Sequence, residues 1–150
     1  QQSTLDGGLK REAAVFWVGD SRAYLIGPCG MLPLTRDHSY VQDLIESGSI
    51  SAEEARTHQM KNVITRCLGG AGNSGAPDVF PFSPGPGEAI LLCSDGLTDA
   101  LDDAQIWQVL MDNSEHSLDN AVKALVRAAN EAGGPDNITV VLVEFVAAGW

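Results

Sequence analysis

The residues of this chain whose types could do chemistry are aspartates that follow strand-like apolar runs. Asp95 comes just after the run Ala89–Cys93, which is short enough for a buried strand, and Asp99 follows four residues later. Gly96 permits a sharp turn where a side chain would clash. A carboxylate held by a rigid strand beside such a turn suits a hard cation such as Mg²⁺ or Mn²⁺. A loop in which Asp95 is only a turn or N-cap residue is the alternative.

Two more aspartates have similar surroundings. Asp20 follows a glycine after the apolar run 13–18, and Asp136 lies in a turn before the apolar run 138–145. If the strands are neighbours in one sheet, or face each other across two, the carboxylates of Asp20, Asp95 and Asp136 can meet at one rim. Carboxylates that converge repel one another unless a cation lies among them. Such a cation would lower the pKa of a bound water and make it a nucleophile near neutral pH.

Composition and charge exclude several classes of protein. The chain has 150 residues, the length of one domain, and 44% of them are hydrophobic, as in ordinary globular proteins. A formal net charge of -11 argues against nucleic acid or an anionic membrane surface as a partner, because both require a basic face. The sequence has no apolar run of membrane-spanning length, and its first residues do not resemble a secretory signal.

The cysteines indicate a reducing compartment, and we expect a cytoplasmic protein. Cys29, Cys67 and Cys93 are odd in number and no two have Cys-x-x-Cys spacing, so the sequence predicts neither a disulfide framework nor a zinc site. Cys93 lies within the buried strand and is expected to be an inert core thiol.

Apolar runs and turn residues predict the elements that position the aspartates. The predicted strands are residues 13–18, 22–26, 31–34, 78–82, 89–93 and 138–145. The last is an almost unbroken aliphatic run, which predicts a strand buried on both faces or nearly so. Leu92, in the strand before Asp95, is expected to lie in the core.

Capping residues predict the helices. Ser39 would cap a helix over residues 40–46, and Ser51 with Glu54 forms a capping box for a second short helix. An amphipathic stretch follows at residues 62–68 and ends in glycines. After the central strand, helices are predicted from Asp102 or Asp103 through residue 111 and from Ser117 to about residue 132.

Six stretches of the sequence recur together, in this order, in one known family. They are residues 18–24, 34–39, 48–50 with 53–55, 63–69, 91–99 and 133–139. Any one of them is a weak signal, but the ordered set is specific. Over about residues 13–145 the chain resembles the metal-dependent protein phosphatases, the PPM or type 2C Ser/Thr phosphatases, in their bacterial form.

The resemblance implies a fold and a reaction. The fold is α+β, an αββα sandwich of two antiparallel sheets flanked by helices, with residues 1–150 as a single phosphatase-like domain. A mobile flap would occupy about residues 38–70, beside the site. Members of the family bind two or three Mn²⁺ or Mg²⁺ ions at one rim of the sandwich. In them a metal-activated water attacks the phosphoserine or phosphothreonine phosphorus without a phosphoenzyme.

The resemblance also implies roles for individual residues. By motif match, Asp95 and Asp136 would be ligands of the first metal, and Asp20 would help to hold a third metal that shares Asp95. No side chain matches the catalytic histidine of the family, so no catalytic or further cofactor-binding residue is predicted. The implied partners are phosphoserine and phosphothreonine proteins, with a cognate Ser/Thr kinase, in bacterial signal transduction.

The chain departs from the family pattern at its start. The Asp-Gly-x-Gly-Gly motif, whose aspartate bridges two metals in the family, does not occur in it. The chain therefore resembles the C-terminal portion of a phosphatase, and its sandwich is expected to be incomplete at the N-terminus. Two functions follow: a Mn²⁺- or Mg²⁺-dependent Ser/Thr phosphatase, or a catalytically impaired phosphatase-like module that binds or regulates a partner.

The remaining polar candidates have structural interpretations. His38 is expected to order the flap, and His58 and His116 are expected on the surface. Arg22 begins a strand, where pairing with an acid is a better interpretation than contact with phosphate.

Overall fold

The computed structural model of the chain describes residues 12–69, 75–113 and 117–146. Its strands are β1 (Ala13–Trp17), β2 (Arg22–Gly27), β3 (Gly30–Pro33), β4 (Asp78–Phe82), β5 (Ala89–Cys93) and β6 (Val140–Glu144). Its helices are α1 (Tyr40–Glu46), α2 (Ala52–Arg56), α3 (Asp95–Ala100), α4 (Asp103–Asp112) and α5 (Leu118–Glu131).

Two antiparallel sheets form the centre of the fold. β1 pairs with β4, and the larger sheet has the strand order β3-β2-β5-β6. β2 and β3 form a hairpin whose turn is closed by Gly27 opposite Gly30. The predicted α+β class, with two antiparallel sheets and flanking helices, is confirmed.

The larger hydrophobic core lies between one face of the four-stranded sheet and the helices α3, α4 and α5. Leu91 of β5, Ile106 of α4 and Leu125 of α5 are fully buried there. Ala121 and Ala129 lie four residues before and after Leu125, so one face of α5 is apolar and packs on the sheet. This core holds β5, and with it Asp95, in a fixed place.

A smaller core lies between the two sheets, and it covers only part of the second face of the larger sheet. Val15 of β1 packs there with Ala23 and Ile90. Towards β6 the same face becomes exposed, since Val141 is 45% and Val143 is 44% accessible to solvent. The prediction that β6 is buried on both faces is therefore wrong.

The predicted strands are all present, with ends that differ by one or two residues. The side chain of Leu92, however, does not point into the core as predicted. Side chains alternate along a strand, so Leu91 and Leu92 point to opposite faces of β5. Leu91 faces the helices and is fully buried, whereas Leu92 faces the partly covered side and is 37% exposed. Leu92 is thus less buried than the sequence predicts.

The capping predictions are confirmed, and one predicted turn needs correction. Ser51 and Glu54 form the capping box of α2, and Asp102 caps α4. Helix α3, which begins at Asp95 and includes Gly96, replaces the predicted turn. Residues 62–68 form no helix and contribute only a bridge from Ile64. Among the helices of the described residues, none is long and apolar enough to span a membrane.

Candidate functional site

The register of the larger sheet brings the three predicted ligand aspartates to one end of the sheet. Arg22 of β2 pairs with Cys93 of β5, and Cys93 pairs with Val140 of β6, so these residues form one row across the sheet. Just beyond that row lie Asp20, Asp95 and Asp136, which are two, two and four residues away from it along the chain. Because neighbouring strands are antiparallel, the start of β2, the end of β5 and the start of β6 lie at the same end of the sheet, and all three aspartates lie there.

The loop that contains Asp136 packs against the start of α3 through contacts with Ser94 and Gly96. The Ser94 hydroxyl donates a hydrogen bond to the Asn137 carbonyl (3.1 Å) and accepts one from the Thr139 amide (3.0 Å). Gly96 packs so closely against this loop that a Cβ there would lie 2.4 Å from the Asn137 carbonyl oxygen. The sequence predicted that Gly96 permits a turn, whereas in the structure it permits this close approach.

Asp20 and Asp95 lie near each other at the edge of a groove of about 910 Å³. Partial burial, followed by the negative charge of Asp95, raises the pKa of Asp20 above the ordinary value for aspartate. Within the described ranges neither Asp20 nor Asp95 has an ion-pair partner. A cation between them would remove the repulsion that disfavours two charged carboxylates.

Two other aspartates of the groove, Asp37 and Asp99, differ from Asp20 and Asp95 in having basic partners. Asp37 accepts two hydrogen bonds from the Arg22 guanidinium, from Nε (2.9 Å) and from Nη2 (2.8 Å). Asp99 pairs with Lys61 at 2.5 Å. The prediction that Arg22 pairs with an acid is confirmed, and this bidentate contact leaves its charge already compensated.

Two carboxylates are enough to hold a hydrated Mg²⁺ or Mn²⁺ ion. Mg²⁺ usually keeps several waters and binds one or two protein carboxylates together with substrate phosphates, and Asp20 with Asp95 offers such a set. Asp136 is exposed and does not line the groove. Within residues 12–69, 75–113 and 117–146, no three His, Cys, Asp or Glu side chains are arranged to hold a metal. The residues present therefore fit an ion that takes most of its ligands from water.

Buried His38 is a part of the site whose contacts the sequence did not reveal. Its Nδ1 accepts a hydrogen bond from the Gly19 amide (3.1 Å), and its Nε2 lies 3.1 Å from Asp78 Oδ2. Asp78 also accepts a hydrogen bond from Arg66 Nη1 (2.7 Å). His38 and Asp78 are forty residues apart, and no local pattern in the sequence connects them.

The predicted flap is a loop whose two ends are hydrogen-bonded together. The Tyr40 amide donates to the Val63 carbonyl (2.8 Å), and the Thr65 amide donates to the His38 carbonyl (2.7 Å). Between these ends the chain forms the short helices α1 and α2, which line the groove together with residues of α3. The last residue of the predicted flap, residue 70, lies outside the described residues.

The other sequence candidates have simple environments. Burial raises the pKa of the Cys93 thiol to about 11, so it is protonated at neutral pH, as expected for an inert core thiol. Cys29 and Cys67 are free and exposed. His58 is half-buried, and its Nδ1 accepts a hydrogen bond from the Met60 amide (3.1 Å). His116 lies outside the described residues.

Comparison with known proteins finds close relatives among bacterial phosphatases, although no protein-family model matches the chain. Serine/threonine phosphatase stp of Listeria innocua is 42% identical over 128 residues, which are 85% of this chain and 49% of that protein. Protein phosphatase PhpP of Streptococcus pneumoniae is 38% identical over 135 residues, which are 90% of this chain and 54% of that protein. The chain spans about half the length of these curated relatives.

Solved structures give the same result. A Streptococcus agalactiae serine/threonine phosphatase superposes with a TM-score of 0.82 at 38% identity, over 91% of this chain and 55% of that one. The PPM Ser-Thr phosphatase MsPP of Mycobacterium smegmatis, in complex with cacodylate, superposes with a TM-score of 0.73 at 42% identity, over 87% of this chain and 55% of that one. The catalytic domain of PstP in complex with two manganese ions superposes with a TM-score of 0.75 at 31% identity, over 91% of this chain and 54% of that one.

Proposed function

Since the chain belongs to the metal-dependent, or PPM, family of Ser/Thr protein phosphatases, we propose that it takes part in hydrolysing phosphoserine and phosphothreonine in proteins. PstP, with two manganese ions in its catalytic domain, supports Mn²⁺ or Mg²⁺ as the cofactor. The proposal treats residues 1–150 as one phosphatase-like domain with a flap at about residues 38–70. Its metal ligands would be Asp95, Asp136 and Asp20.

The observation that carries this proposal is that Asp20 and Asp95 lie near each other at the groove, and that neither has an ion-pair partner among the residues the structure describes. Asp20 lies in the turn before β2 and Asp95 is the first residue of α3, directly after the adjacent strand β5. Partial burial and the negative charge of Asp95 disfavour the charged form of Asp20. A folded protein has no evident gain from such a pair unless a cation binds there. Arg56 and Lys61 also line the groove, where both contact Asp99.

The metal would supply Lewis-acid chemistry by activating a water molecule and binding phosphoryl oxygens. The residues of this chain would do the rest. Asp20 and Asp95 would hold and orient the ion, and α1 and α2 would form part of the groove around it. Arg22 and Asp37, joined by two hydrogen bonds, would fix the side of the groove next to Asp20.

A phosphate-release assay tests the proposed reaction. With a phosphothreonine peptide and Mn²⁺ we expect release of inorganic phosphate that stops when the metal is chelated. Asp95→Asn should lower the rate by about 100-fold or more, because a metal centre lowers the barrier by several kcal/mol. The matched control is Asp119→Asn, since Asp119 is exposed on α5 and, among the described residues, forms an ion pair with Lys123. Activity without metal, or equal activity of the two variants, would contradict the proposal.

A second function, a phosphatase-like module without catalysis, is favoured by one observation. The described part of the chain contains no group of three His, Cys, Asp or Glu side chains arranged to hold a metal. Calorimetric titration with Mn²⁺ separates the two functions. Tight binding at two sites would exclude the non-catalytic module, whereas no heat at millimolar Mn²⁺ would support it.

The biological setting is proposed from the family. The substrates would be phosphoproteins, and a cognate Ser/Thr kinase would act in the opposite direction within a bacterial signalling system. We propose the cytoplasm as the compartment, because the free thiols of Cys29, Cys67 and Cys93 suit a reducing environment. The acidic net charge of -11 supports a protein partner over nucleic acid or an anionic membrane.

A further inference from the structure

His38 holds the turn that carries Asp20 from two sides. The Gly19 amide donates a hydrogen bond to His38 Nδ1 (3.1 Å), and the Gly19 carbonyl accepts one from the His38 amide (2.9 Å). Gly19 has a φ of 111°, a conformation that side-chain-bearing residues rarely adopt, and it is buried. Both hydrogen-bonding groups of this glycine are therefore satisfied by a single residue of the flap.

The hydrogen bonds determine which tautomer His38 adopts. A ring nitrogen that accepts from a backbone amide carries no proton, so Nδ1 is the bare nitrogen. The proton of the neutral ring is then on Nε2, which donates to Asp78 Oδ2 (3.1 Å). The His38 side chain is completely buried, whereas the Asp78 side chain is 39% exposed.

Three further contacts fix the ring in this orientation. Asp78 Oδ1 accepts from Arg66 Nη1 (2.7 Å), so the carboxylate is held from the opposite side. The ring of Trp17 stacks on His38 with a centroid separation of 5.9 Å and an interplanar angle of 14°. The Trp17 indole donates to the Arg36 carbonyl (2.7 Å), which anchors the segment just before His38. The ring has little freedom to turn away from Gly19.

From these contacts we infer that His38 is a positioning residue for Asp20: its Nδ1 holds the Gly19–Asp20 turn, so the Asp20 carboxylate stands ready beside Asp95 to bind the metal. This inference rests on the proposed function, since it assigns His38 a role at the proposed metal site. His38 touches neither substrate nor metal in this role. It acts through the Gly19 backbone, while Asp78 and Arg66 keep its tautomer and its orientation.

Two substitutions separate the two ring nitrogens. In His38→Asn the amide oxygen replaces Nδ1 as an acceptor for the Gly19 amide, and the contact with Asp78 is lost. In His38→Gln the amide reaches the Nε2 position and can donate to Asp78, and the acceptor for Gly19 is lost. Both variants remove the ring, so both lose the stacking with Trp17 and a similar amount of packing. Thermal unfolding of each variant verifies that it is folded at the temperature of the assay.

The first measurement is hydrogen exchange of the Gly19 amide, followed by NMR without any metal. We expect exchange in His38→Gln to be at least about tenfold faster than in His38→Asn, because only the glutamine variant leaves this amide without its acceptor. The second measurement is Mn²⁺ affinity by calorimetry. Loss of a residue that supports a metal ligand costs about 10- to 100-fold in affinity, so His38→Gln should bind Mn²⁺ at least about tenfold more weakly than His38→Asn.

His58→Gln is the matched control. His58 lies in the same flap and its Nδ1 also accepts from a backbone amide, that of Met60 (3.1 Å), but it does not contact the Gly19–Asp20 turn. Its substitution should leave both readouts unchanged. Equal Gly19 exchange in the two His38 variants, or equal Mn²⁺ affinity, would overturn the inference while leaving the proposed function intact. If the unmodified chain binds no Mn²⁺, the proposed function fails and the role of His38 towards a metal fails with it.

Discussion

Gly96 lies where the loop before β6 contacts the first turn of α3. A Cβ on this residue would lie 2.4 Å from the Asn137 carbonyl oxygen and 2.9 Å from the Asn137 carbonyl carbon. Both are backbone atoms, so the clash cannot be relieved by rotating a side chain. The absence of a side chain at Gly96 therefore allows the loop carrying Asp136 to approach the helix carrying Asp95.

Replacing Gly96 by alanine should destabilise the chain. We expect Gly96→Ala to lower the free energy of unfolding by about 1–3 kcal/mol or more, since an added methyl group in a filled space forces the backbone to shift. Urea unfolding monitored by circular dichroism measures the change.

A second glycine substitution supplies the control. At Gly85 the nearest atom to an added Cβ is Glu88 Oε2 at 3.5 Å, an ordinary contact with a flexible side chain. Gly85→Ala should change the free energy of unfolding by less than about 1 kcal/mol. If the two alanine variants were equally stable, the close packing of α3 on the Asn137 loop would be wrong.

At the scale of elements, β5 is the strand on which the site depends, and its two faces have different surroundings. Leu91 packs among the helices and is fully buried, whereas Leu92 is 37% exposed on the side of the smaller core. Period-two alternation means that a shift of one residue in register would exchange these two environments. The pair Leu91 and Leu92 thus reports on the register that brings Asp20 next to Asp95.

Truncation of these leucines should have unequal effects. We expect Leu91→Ala to lower the free energy of unfolding by about 2–5 kcal/mol, the range for a buried leucine replaced by alanine. Leu92→Ala should cost only about 1–2 kcal/mol, because much of its side chain stays in contact with water in the folded state. Chemical denaturation of the two variants under one buffer gives the comparison. Equal losses, or a larger loss for Leu92, would contradict the register of β5 with β2 and β6.

At the scale of the whole molecule, an apolar face of the larger sheet remains exposed beside β6. Leu92, Val141 and Val143 form this exposed face, in which Val141 lies opposite Leu92. On β2 the equivalent position, Ala23, is covered by the smaller core. A contiguous apolar surface of this kind promotes association in water.

Self-association should therefore depend on the exposed face. We expect sedimentation velocity to show association that increases with concentration, and Val141→Thr with Val143→Thr to reduce it. Threonine keeps the branched shape that suits a strand, so the double variant should lose little stability.

Val140→Thr is the control, since Val140 packs against the larger core on the opposite face. It should lower the free energy of unfolding without reducing association. A chain that stays monomeric at all concentrations, or a double variant that associates as before, would show that the exposed face has no part in association.

Local patterns were sufficient to predict most of the elements, with strand ends within one or two residues. The alternation and apolar runs gave all the strands, and Ser51, Glu54 and Asp102 marked helix starts by the capping contacts seen in the structure. Helix α3 was missed, because Asp95 and Gly96 have the composition of a turn, and packing against the Asn137 loop outweighs that preference. The exposure of Leu92 and β6 was missed because burial depends on which layers cover a sheet.

What the sequence by itself determined is the set of strands, the capped helices and the aspartates beside them, because each depends on residues close together in the chain. Only the tertiary structure decided that Asp20 and Asp95 share a groove. It also decided that His38 joins Gly19 to Asp78, across separations of 19 and 40 residues. Hydrogen bonds and electrostatic repulsion act over a few ångströms in space, and distance along the chain does not reveal which distant groups come that close.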